Sequence, residues 1–245
     1  RAVKHRPLSA DAANNYGVVL ASLGNLAGAS EQYKAALRLN TNSVDAHYGL
    51  ARVYEMQTNY SGAATHYAEA LRLRPNLGPA QIGLGVVLSG AGRWKEAAAA
   101  LERYVAANPK SGIGHYQFGF TLIKMGEITN GLSHLDIAIQ VRPGDRALAD
   151  SIVRLLATSA EARVRNGPKA VALGEQVCNP IDGAPPKYLE SLAAAYAEAG
   201  SFEKAKATAT RALNAARAGK DEALARTIER HLESYNSGRP IRDGQ

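Results

Sequence analysis

LARVYEMQTNYSGAATHYAEALRLRP, residues 50–75, decides the fold. Leu50 and Tyr54 lie four apart, with Ala51 beside them. Ala63, Tyr67 and Ala70 follow at spacings of four and three, beyond the break at Thr58. Such spacings put one apolar stripe on each of two helices. Pro75 closes the unit, because proline cannot continue a helix. Neither helix of such a hairpin can bury its stripe alone.

The same pattern recurs every 34 residues. Large apolar positions run Tyr16, Leu50, Leu84, Phe118, Ile152 and Leu20, Tyr54, Leu88, Leu122, Leu156. Small residues run Gly17, Ala51, Gly85, Gly119 and Ala29, Ala63, Ala97, Gly131. Turn positions are Gly24, Thr58, Gly92 and Gly126, and the closing prolines are Pro75, Pro109 and Pro143. A small residue midway along a helix lets a second helix approach closely. Glycine past a helix end accepts the left-handed turn. Repeats of this length stack on one another and bury a continuous core, giving a quasi-one-dimensional solenoid.

Composition agrees. The 245 residues include 46 Ala but only 3 Phe and 1 Trp, as expected where helices meet at small side chains rather than around one deep core. The formal net charge is +7. The arginines are dispersed near helix ends, where cations complement the helix dipole, and form no stripe for nucleic acid. A single cysteine, Cys178, excludes an internal disulfide and reads as a buried thiol. No apolar run is long enough to span a membrane, so the fragment is not expected to insert in one.

These residues resemble the tetratricopeptide repeat (TPR) family. YGVVLASLGNLAGASEQYKAAL (16–37) follows its pattern as closely as 50–75 does, and the match spans nearly the whole chain. The resemblance implies an all-α, right-handed superhelical solenoid of about six helix-turn-helix repeats with a C-terminal capping helix. Residues 1–9 read as the end of a truncated preceding repeat, with Pro7 two periods before Pro75. Residues 10–145 hold four regular repeats, 146–185 a fifth with an enlarged turn in Glu161–Pro168, and 186–219 a sixth. Residues 220–236 form the capping helix, and 237–245 are expected to be a loose tail.

Chemistry is sparse. No phosphate loop, HExxH or GxSxG is present. His47 and His115 are two periods apart, as are His66 and His134, too far for shared metal ligation across repeats. No catalytic residue, metal site or cofactor is expected.

The resemblance also implies a surface. First helices of this family line a concave groove that takes a peptide or protein segment. Helical phase assigns Tyr48, Arg52, Glu55, Ile82, Val86, Tyr116, Gln117, Phe120, Lys124 and Arg154 to that groove. Arg52 and Arg154 would hold polar or acidic ligand groups, with the aromatic and aliphatic residues supplying apolar contact. The alternative is that Ile82, Val86 and Phe120 pack against neighbouring helices. The lysine and asparagine clamp that some relatives use for chaperone tails is absent: Asn14 and Val18, then Tyr48 and Arg52, occupy its places. The asparagine ladder of the O-GlcNAc transferase superhelix is absent too, with Gly49 and Gly83 where it would continue from Asn15.

The expected function is a non-catalytic interaction scaffold. A second expectation comes from residues 154–178 and 188–213, which look like the terminal repeats of large bacterial proteins, some with a glycosyltransferase-like membrane part. On that reading the chain would be an accessory, substrate-presenting domain of a larger enzyme, in the bacterial cytoplasm or periplasm. Self-association through an open N-terminal end is a third expectation.

Overall fold

The computed structural model describes residues 9–243. The reading of 1–9 as the end of an earlier repeat therefore falls almost wholly outside the described residues. Those residues form thirteen α-helices and no strand.

The helices divide into two compact units. The first contains α1 (Ala10–Ser22), α2 (Leu26–Leu39), α3 (Val44–Met56), α4 (Tyr60–Leu73), α5 (Gly78–Gly90) and α6 (Trp94–Ala107). Helix α7 (Gly112–Lys124) gives its N-terminal residues, to Gly119, to the second unit and its end, from Phe120, to the first. The second unit continues with α8 (Ile128–Val141), α9 (Arg146–Thr158), α10 (Gly167–Val177), α11 (Pro186–Glu198), α12 (Phe202–Ala218) and α13 (Glu222–Asn236).

In the first unit, helices α1 to α4 each start on a polar cap, whereas α5 starts at Leu77 without one. The side chains of Ser9, Asn25, Ser43 and Asn59 accept from the amides of Ala12, Gly28, Ala46 and Gly62, satisfying donors that a helix start leaves free. Between paired helices the chain turns through a left-handed residue. Gly24 and Gly92 take this position at φ 77° and 72°, and Thr58 takes it at 57°. Ala29, Ala63 and Ala97, at 0% exposure, lie in the contacts between paired helices.

First helices touch one another: α1 meets α3, and α3 meets α5. Among the described residues α2 and α4 make no such contact. The stack therefore bends toward its first helices, and α1, α3 and α5 line the inner face of this unit.

The second unit follows the same scheme with one insertion. Residues 159–166 replace the tight turn between α9 and α10. Val164 within it is buried, and Arg165 Nη1 donates to the carbonyls of Ser159 and Ala160. Helix α11 is buried from Leu189 to Ala197, because α9, α10, α12 and α13 all pack on it. Its run of alanines admits those neighbours on every side. Cys178 is the residue just past α10, fully buried. Burial, reinforced by the nearby Asp150 carboxylate, pushes its thiol up to about 11, so the reactive thiolate is scarce at neutral pH.

The expectation of a loose tail is corrected for residues 237–243. The chain beyond α13 turns back at Gly238, with Arg239 N bonded to Ser234 O. Ile241 packs on the core that contains Leu189, Ile228 and Tyr235. Asp243 N donates to the Thr158 carbonyl at 2.8 Å. A short run of polar residues predicted solvation, but one apolar side chain and two charges dock it.

Candidate interaction surfaces

The inner face of the first unit is built on tyrosines that enter from the second helices. Tyr33, on α2, inserts its ring against Gly17 on α1 and Gly49 on α3. A Cβ on Gly49 would stand 2.5 Å from that ring, so only glycine admits it. Tyr67 does the same one repeat later under Gly83. Its hydroxyl donates to Glu55 Oε2 at 2.5 Å, and the ring lies 5.9 Å from that of Tyr48. Burial, then this bond, pushes the Tyr67 hydroxyl well above its ordinary pKa.

Above Tyr33 the face opens into a cleft of about 530 Å³ between α1 and α3. Val18, Ala21, Val53 and Met56 form apolar walls, with Tyr33, Tyr48 and Gly49 as the floor. Asn14, Asp45 and Arg52 bring polar groups to it. Arg52 reaches the Tyr48 hydroxyl at 3.5 Å and Glu55 at 4.0 Å, with its side chain 56% exposed. The bond to Tyr48, against a smaller cost of burial, raises the guanidinium pKa further. Asn14 Oδ1 is buried and has no hydrogen-bond partner among the described residues. A buried acceptor without a partner costs free energy, of the order of 1–3 kcal/mol, until something donates to it.

Of the residues assigned to a groove by helical phase, Tyr48 and Arg52 line this cleft. Glu55 is held by Tyr67 and Arg52. Ile82 and Val86, on α5, are half-buried and lie outside it. Phe120 is half-buried under the Lys124 ammonium, 5.3 Å above its ring. In the second unit Tyr116 and Gln117 are half-buried. Arg154 is committed to a salt bridge with Glu190 at 2.8 Å. Helical phase did not pick out Val18, Tyr33, Val53 or Met56, since which residues face the cleft depends on how far α1 and α3 splay.

The second unit carries a polar system of its own. Glu190, 3% exposed, lies 2.8 Å from Arg154 on one oxygen and 2.9 Å from His231 Nδ1 on the other. Asp150, 1% exposed, has Lys187 Nζ at 3.9 Å, and burial pushes its carboxyl pKa up. Glu198 takes Arg165 at 3.0 Å and Arg242 at 2.7 Å.

Two histidine pairs were missed by comparing repeats only with each other. His47 and His66 sit with Nδ1 atoms 3.0 Å apart, and His115 and His134 repeat the arrangement at 2.9 Å. Burial, then the neighbouring ring, lowers the pKa of both His66 and His134. Among the described residues no group of three or more His, Cys, Asp or Glu side chains could hold a metal ion, and no helix is long and apolar enough to cross a membrane.

Helical hairpins in a 34-residue register, meeting at Gly and Ala, have the architecture of tetratricopeptide repeats. Family profiles described as TPR repeat and tetratricopeptide repeat match residues 17–58 and 56–117. Solved structures share the fold. A MamA double mutant of strain RS-1 aligns with a TM-score of 0.61 at 21% identity, over 71% of this chain and 95% of its own. YrrB, described as a TPR protein with an unusual peptide-binding site, aligns at 0.53 and 22%, over 91% of this chain and 92% of its own. Yeast Tom70 aligns at 0.63 and 15%, over 94% of this chain and 47% of its own. A search of curated proteins finds no match.

Proposed function

We propose that the chain is a non-catalytic scaffold that binds an extended peptide or protein segment in the α1/α3 cleft. The observation that carries this reading is the cleft itself, with its apolar walls, its tyrosine floor and the exposed Arg52 side chain. Few apolar anchors with a few oriented polar groups suit a peptide side chain and its main-chain amide. Arg52, exposed at the rim, would take a carboxylate or carbonyl of the ligand. The aliphatic side chain of the ligand would replace water over Val18, Val53 and Met56. YrrB, by its description a peptide-binding relative in fold, makes this use of the repeat a reasonable one to test.

The test is selection of ten-residue peptides from a displayed random library against the intact chain. Selected peptides are then titrated against Arg52→Glu and Val18→Asp. The proposal expects both substitutions to weaken binding at least about tenfold, equivalent to about 1.4 kcal/mol. Unchanged binding to both variants would remove the cleft from the account.

A further inference from the structure

We propose that the joined ends of α9 and α11 form a second peptide site. It takes an extended segment bearing an apolar residue, a guanidinium and a carboxylate in succession, and residues 241–243 occupy it in cis. This site belongs to the second unit, and its existence does not depend on the α1/α3 cleft.

The docked segment is held as a ligand is held. Its main chain is anchored by Asp243 N on the Thr158 carbonyl, at the last residue of α9. That carbonyl lies in the last turn of its helix, where no amide of the helix itself can pair with it. The side chains then read out in order. Ile241 enters the apolar core beside α11 and α13. Arg242 pairs with Glu198, the last residue of α11, at 2.7 Å, and both are largely shielded from water at 20% and 14% exposure. Asp243 Oδ1 lies 2.8 Å from Thr158 Oγ1, which shares its proton with the Arg154 carbonyl.

The receiving groups are fixed without the segment. Glu198 is already paired with Arg165, and Arg165 is braced by the carbonyls of Ser159 and Ala160. All three lie in the enlarged turn, 159–166. The insertion that breaks the 34-residue period thus builds one wall of this site. Removing Arg242 leaves Glu198 with a partner, so the site persists when empty of the segment.

The segment itself is held by little. It has one main-chain and one side-chain bond to Thr158 of α9, one ion pair and one half-buried apolar residue, while the helices keep their own core. Such a segment opens independently of the fold. Tethered beside its site, it competes with an external ligand at an effective concentration that can reach the millimolar range for a short linker.

The experiment uses the intact chain and a fluorescent peptide with the sequence of residues 237–243 (SGRPIRD), amidated at its end. Binding is followed by anisotropy against the unaltered chain and against a variant carrying Ile241→Ala, Arg242→Glu and Asp243→Lys. The proposal expects binding to the variant at least about tenfold tighter than to the unaltered chain, by removal of the tethered competitor. It expects Glu198→Gln in the variant to weaken that binding, and a scrambled peptide not to bind. Equal affinity for variant and unaltered chain, or no binding to the variant, would overturn the proposal. So would loss of helical circular dichroism in the variant, since the segment would then be a structural brace. Arg52→Glu in the α1/α3 cleft should leave this binding unchanged, so the two sites fail or stand separately.

Discussion

The ring of Tyr67 fills the place that a Cβ on Gly83 would occupy, 2.5 Å from its Cζ. Tyr67 is fully buried and bonded through its hydroxyl to Glu55, so the ring has no room to retreat. Gly83→Ala should therefore destabilise the first unit by about 1–3 kcal/mol, the usual cost of overpacking. Chemical denaturation measures this. Pairing it with Tyr67→Ala should give a double-variant loss smaller than the sum of the single losses, because removing the ring removes the clash. Additive losses would show that the two residues are not coupled.

Thr58 takes the left-handed turn that Gly24 and Gly92 take in equivalent repeats, at φ 57°. A β-branched residue is strained there. Thr58→Gly should raise stability by about 1 kcal/mol, the steric relief outweighing glycine's added freedom in the unfolded chain. A higher thermal midpoint for the variant is the expected result. A lower one would mean that the Thr58 hydroxyl bond to the Gln57 carbonyl outweighs the strain.

The histidine pairs predict a pH dependence. Each Nδ1···Nδ1 contact needs one ring to donate and the other to accept, which fails when both are protonated. His66 and His134 have pKa values lowered below the ordinary histidine value by burial and by the partner ring. Around His66, Glu69 acts in the opposite sense and Lys34 in the same sense. In the window below about 6.5 the unfolded chain takes up protons that the folded chain resists. Stability is therefore full above that pH and declines as pH falls toward the lowered values. The thermal midpoint should be lower at about pH 5.5 than at about pH 7.5. His66→Gln with His134→Gln should remove much of the difference, and an undiminished difference in that variant would exclude the pairs as its source.

The repeat was legible because its signals are local and periodic. Ala29, Ala63 and Ala97 recur at one spacing and all reach 0% exposure for one reason, the close approach of paired helices. The cleft was half legible. Tyr48 and Arg52 carry the phase of α3, whereas Val18 and Met56 become its walls only through the splay of α1 from α3. The histidine pairs left a signal, an offset of 19 residues in both, visible only when helices within a repeat are compared. The docked tail left none. Thr158 and Asp243 are 85 residues apart and belong to no period.

The most direct test of the scaffold reading is a methyl-resolved NMR titration of the chain with a selected peptide. Binding in the cleft should shift Val18, Val53 and Met56, with the resonances of Leu71 and Leu84, which line a separate pocket between α4, α5 and α6, unmoved. Shifts confined to Leu71, Leu84 and Ala100, with Val18 and Val53 unchanged at saturation, would contradict it.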